Sequence, residues 1–149
     1  MRCNFFIASQ LSLVDLQSKL VTAINILEDF QSVTFPTAIQ TSVIFVVHKE
    51  EGEPTQNSVL LNVTLGDNAL INNYAIQINF QEAARGIKSV TSFNGLIIAN
   101  PGELKFTLSN ANTGTVLGTY SIMIVPATAI GITTNTATAH PTQDTPQEV

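Results

Sequence analysis

The sequence predicts an all-β fold, a two-layer antiparallel sandwich of seven to nine short strands. Three observations carry that expectation. From Phe93 to Val125 the chain reads Leu96-Ile97-Ile98, the breaker Pro101-Gly102, then Leu104, Phe106 and Leu108 alternating with Lys105, Thr107 and Ser109, the polar loop Asn110 to Gly114, and a long run to Val125. Alternation with period two puts one face of a strand on a core and the other in water, and a polar, Gly-closed loop between two such runs is a hairpin. A single hairpin is marginal in water, so the preceding residues must supply partner strands and a second apolar layer. The second observation is composition: 44% of the 149 residues are hydrophobic and only 11% charged, with Thr, Asn, Ser and Gln carrying the polar surface, as strands prefer. The third is that short apolar runs recur between turn signals, without an internal repeat and without alternating helices.

Taken in order, Arg2 to Ser9 has Cys3, Phe5 and Ile7 on one parity and Phe6 and Ala8 on the other, a strand buried on at least one face. Leu11 to Asp15 continues it after a bulge or strand switch at Ser9-Gln10, and Asp15 to Ser18 is a turn. Lys19 to Leu27 suits either a helical or a strand period; its Val, Thr and Ile content favours strand. Glu28 to Ser32 reads as a polar loop. Pro36 belongs at an edge or outside a central strand, and the residue before it is extended. Ser42 to Lys49 places Val43, Phe45 and Val47 on one face and Ile44, Val46 and His48 on the other, a strand covered on both sides. Glu50 to Pro54 is a charged loop, Ser58 to Leu65 a strand, and Gly66-Asp67-Asn68 a reversal. Tyr74, Ile76, Ile78 and Phe80 alternate with Ala75, Gln77 and Asn79; Gln81 to Gly86 adds a helical turn; Ile87 to Phe93 leads back to the hairpin.

One core is expected for a chain of this size, spanning residues 1–126. Beyond it, residues 127–149 form a Thr/Ala/Pro-rich segment with Ile130 and Ile132 as its large apolar residues. Such a composition cannot offset its ordering entropy, so a flexible tail is expected, either an unstructured terminus or a tether that folds on a partner. Net charge is -5 with six scattered Lys and Arg, which argues against a nucleic-acid or anionic-membrane partner. Arg2 before Phe5-Phe6-Ile7-Ala8 has the look of an export signal, but Ser9, Gln10 and Ser12 leave the apolar run short, and no stretch approaches a spanning helix. A soluble, cytoplasmic protein is the expectation, and Asn62-Val63-Thr64 then reads as a coincidental glycosylation sequon.

Chemistry is sparse. Cys3 and His48 could make a nucleophile and base only if the fold joins them; a structural thiol and a solvent-facing imidazole is the plainer reading. The run His48, Glu50, Glu51, Glu53 lacks calcium-loop spacing and offers one His for zinc. Asp15, Glu28, Asp29, Asp67, Glu82 and Glu103 fall in turns or strand starts, with nothing to pair two of them as acid and base. Gly114, Gly118 and Gly131 are wrongly spaced for a phosphate loop. The phenylalanines sit at alternating strand positions, as core residues do.

With these residues in view, the chain resembles an uncharacterised bacterial family of small immunoglobulin-like β-sandwich domains, over roughly Met1 to Val125. The resemblance rests on the N-terminal strand, the segment Lys19 to Phe30, Phe35-Pro36, Asn94-Gly95-Leu96, Pro101-Gly102-Glu103 and Leu117-Gly118. It implies an immunoglobulin-like sandwich and no activity. The function expected is therefore non-enzymatic: a protein-interaction module binding another protein or itself through an edge strand or loops. No catalytic, cofactor-binding or metal residue is assigned, and no cofactor or small-molecule ligand is expected. The alternative is a structural subunit of a multimeric, phage-like particle. A ligand-binding or hydrolytic domain would instead need a concave pocket near His48, Glu50 or Cys3.

Overall fold

A computed structural model describes residues 1–81 and 86–127. Residues 128–149 of the expected tail, and the helical turn expected between Gln81 and Gly86, lie outside them. Nine strands follow one another: β1 (Arg2–Val14), β2 (Val21–Ile26), β3 (Asp29–Ser32), β4 (Thr37–His48), β5 (Gln56–Leu65), β6 (Asn68–Asn79), β7 (Gly86–Ile98), β8 (Gly102–Asn110) and β9 (Val116–Pro126). They form two sheets, ordered β2-β1-β4-β7 and β3-β9-β8-β5-β6. The pairing of β4 with β7 in one layer, against β5, β8 and β9 in the other, is the immunoglobulin-like arrangement.

The segment Lys19 to Leu27 resolves to strand: β2 pairs antiparallel with β1, from Val14 opposite Val21 to Ser9 opposite Ile26. Ser9 is where β1 changes partner, since residues Arg2 to Ser9 pair with β4 and the remainder with β2 alone. The turn at its tip is an Asx turn in which Asp15 Oδ1 accepts the Gln17 N–H at 2.7 Å. Two expectations are corrected. Glu28 to Ser32 is not wholly a loop, because Asp29–Ser32 is β3, and the sandwich is not wholly antiparallel, because β3 runs parallel to β9. The cause is tertiary: Phe30 packs against the core and the Tyr120 hydroxyl donates to the Leu27 carbonyl at 2.8 Å, holding the segment against β9. The peptide Phe35-Pro36 is cis and lies in the bend before β4, outside any strand, where Pro withholds no ladder donor.

The alternating positions converge as expected. Val43, Phe45 and Val47 of β4 face Val59, Leu61 and Val63 of β5 and Leu104, Phe106 and Leu108 of β8 across one core, all fully buried. Each contributes roughly 1.5–3 kcal/mol by leaving water. Gly66 (φ 55°) opens the two-residue turn between β5 and β6, the left-handed first position that hairpin turns demand. Asn110 closes the β8–β9 loop: its Oδ1 accepts the N–H groups of Asn112 and Thr113, and its carbonyl accepts the Gly114 N–H at 2.8 Å.

Candidate functional site on the outer face of the four-stranded sheet

The sequence candidates for chemistry are held apart by strand geometry. Arg2 stands opposite His48 and Cys3 opposite Val47, so Cys3 shares the core-facing side of Val47 while His48 points to the other side. Cys3 Sγ donates to the Phe5 carbonyl at 3.1 Å. Burial pushes its thiol up, outweighing the backbone hydrogen bonds of Phe5 and Val46, which is the opposite of an activated nucleophile. The His48 ring covers the backbone of Gly86, where a methyl group would lie 2.9 Å from Cε1; a larger residue opposite His48 would displace the imidazole. Among the described residues no group of three or more His, Cys, Asp or Glu side chains converges as metal ligands do. Glu50 and Glu53 instead take the Met1 ammonium, Glu50 Oε2 at 2.9 Å and Glu53 through Oε1, and Glu53 Oε2 also accepts the Glu50 N–H.

What the structure does assemble is an apolar outer face. In antiparallel sheets residues directly opposite share a face, and the registers stack three cross-strand rows on β1, β4 and β7: Phe5 with Val46 and Lys88, Ile7 with Ile44 and Val90, Ser9 with Ser42 and Ser92. The serine row is internally satisfied, Ser42 Oγ and Ser92 Oγ being 2.8 Å apart and Ser9 Oγ donating to the Leu11 carbonyl at 3.1 Å. Asn25, left-handed (φ 53°), hydrogen-bonds Gln10 across the β1–β2 hairpin at 2.8 Å. Beyond it Val21 and Ala23 join Phe5, Ile7, Ile44, Val46 and Lys88 around a hollow of about 240 Å³. Ile44 is covered to 3% exposure, yet Phe5 remains 46% exposed. Leu11, Leu13, Val14, Leu16, Leu20 and Ile26 of the same hairpin are exposed too, and from Phe5 to Leu27 only Asp15 and Lys19 carry charge.

The opposite layer is built differently. Its outward rows read Asn62 with Thr107 and Thr119, and Thr64 with Lys105 and Ser121, an ordinary solvated face. The signal for the apolar face stood in the sequence, in the double apolar parity of β1 and β4. Its meaning depended on what covers the second side, which a single strand does not state. Among the described residues no helix is long and apolar enough to cross a membrane. No protein-family model matches the chain, and no curated protein matches it.

Proposed function

We propose that the protein is a non-enzymatic interaction module that docks a protein chain, another or its own, on the outer face of the four-stranded sheet and the strand edges beside it. One observation carries this reading: around the buried Ile44, the exposed Phe5 and the half-buried Ile7, Val46 and Val90 leave an apolar hollow whose one charged neighbour is Lys88, at the end of the Phe5–Val46 row. Sandwich faces left to water ordinarily alternate polar outward, as the five-stranded sheet does, whereas apolar patches rimmed by polar residues mark interfaces. A photo-crosslinking residue in place of Phe5 tests it. A discrete protein adduct should form from that position in cells and not from Thr119 on the opposite layer; equal or absent labelling at both positions would sink the reading. The same reading sets the protein in the cytoplasm, where the lone Cys3 stays reduced, and recovery in a membrane or extracellular fraction would overturn that.

A second reading, a structural subunit of a multimeric particle, draws on one further observation, the outer edges of β6, which has no charged residue, and of β7, which has none from Ser89 to Ile98. In that case the partner is the chain itself.

A further inference from the structure

β6 and β7 are the outermost strands of their sheets, and Tyr74 of one meets Phe93 of the other edge to face, with ring centroids 5.9 Å apart. Among the described residues β6 pairs only with β5 and β7 only with β4. Neither edge carries the charges or prolines that usually block pairing with another chain: β6 has no charged residue, and β7 has none from Ser89 to Ile98. Between them lies a groove of about 460 Å³ lined by Leu70, Ile71 and residues 92–97. Ile97 is 60% exposed on it. Gly95 (φ 91°) sits where β7 slips register against β4, and a Cβ built there would meet nothing within 4 Å.

We propose that this groove receives residues 129–138 of a second copy of the chain, laid along β7 as an added strand. The proposal rests on the self-associating form of the interaction reading. Residues 128–138 contain no charge and no proline, and seven of the eleven are Thr or Ile, the β-branched types that strands favour. Ile130 and Ile132 fall two apart, so an extended chain shows both on one face, matched to the apolar lining of Leu70, Ile71, Phe93 and Leu96. Their spacing suits strand addition, in which main-chain bonds hold the peptide and alternate side chains fill pockets.

Reach bears on whose groove Ile130 can fill. The chain leaves β9 at the end of the sandwich where β7 stops and β6 starts, because Gly102 pairs with Ile124 and Leu65 pairs with both Leu104 and Asn68. In the five-stranded sheet β9 stands three strands from β6, about 14 Å at the usual strand spacing. From Ala127 to Ile130 a fully extended chain covers about 10 Å. The groove of the same molecule is out of range for Ile130; that of a neighbour meeting it end to end is not.

The test is light scattering behind a sizing column across a concentration series, on the full chain and two full-length variants. Ile97→Asp blocks the groove at an exposed residue, and the double variant Ile130→Asp, Ile132→Asp blocks the donated segment. The unaltered chain should run at twice the 16.0 kDa chain mass or more, with its midpoint moved at least tenfold to higher concentration in either variant. A mixture of the two variants, one keeping its groove and the other its segment, should restore a complex with unchanged thermal unfolding of each component. An unaltered chain that stays monomeric, or a double variant that assembles like it, overturns the inference. If assembly fails while position 5 still yields its adduct, the interaction reading survives; if both fail, it does not.

Discussion

A methyl group added at Gly118 would sit 3.2 Å from Phe6 Cδ1 and 3.7 Å from Cys3 Sγ. Phe6 has little room to withdraw, since its ring stands edge-on to the fully buried Phe45 at 6.5 Å. Gly118→Ala should therefore destabilise the fold by about 1–3 kcal/mol, seen as a lower urea midpoint at unchanged slope. Phe45→Ala removes the central ring itself and should cost about 3–5 kcal/mol in the same measurement. Tyr120→Phe keeps the ring but leaves the Leu27 carbonyl without its 2.8 Å donor; a loss of about 1 kcal/mol is expected, with faster amide exchange in β3 if that bond pins the segment. Cys3 and His48 belong at this scale as well: the pairing of Arg2 with His48 turns the two to opposite sides, a separation that residue identity alone does not reveal.

The strands differ in how plainly their residues announce them. β8 and β9 were legible because each alternates cleanly and the loop between them satisfies its own backbone through Asn110, which is 6% exposed. Asn110→Ala should cost about 1–2 kcal/mol, since two backbone N–H groups of the loop lose the acceptor that fixes its turn, and equilibrium unfolding would measure it. β3 was not legible. Asp29 to Ser32 offers Phe30 as its one large apolar residue, and its partner β9 pairs with it in parallel from the far end of the chain, so nothing local marks it as a strand. β4 has apolar residues on both parities, and its second side is largely covered: Ile44 is 3% exposed while Val46 and His48 are half-buried. Phe5 and Ile7 of β1 and Val21 and Ala23 of β2 line the hollow beside Ile44 and Val46, a tertiary fact beyond the reach of period counting.

For the molecule as a whole, the Met1 ammonium and the Glu50 and Glu53 carboxylates tie the first residue to the β4–β5 loop. Desolvation is the largest single influence on Met1 and on Glu53 and opposes charge on both. The hydrogen bonds and charge pairing together outweigh it, raising Met1 above its ordinary 8.0 and lowering Glu53 below its ordinary 4.5. A raised amine contributes stability below its unfolded value, lost as pH climbs through the folded one; a lowered carboxyl contributes stability above its unfolded value, lost as pH falls through the folded one. Stability should thus be greatest between about pH 5 and 8 and fall on both sides, by thermal unfolding across a pH series. Glu53→Gln should flatten both limbs. The two layers also divide the molecule into a wetted side and an apolar side, and that difference rather than any single residue makes it directional.

The parallel contact between β3 and β9 also reaches into how the protein is made. At a ribosomal pace of about 5–20 residues per second, β9 emerges several seconds after β3. Until then the fourth strand in the chain can pair with the first, but the five-stranded layer lacks the strand that closes it over Phe30. A nascent chain stalled short of Tyr120 should accordingly remain sensitive to protease, and its uncharged edges are then open to neighbours on the same message before the sandwich has shut.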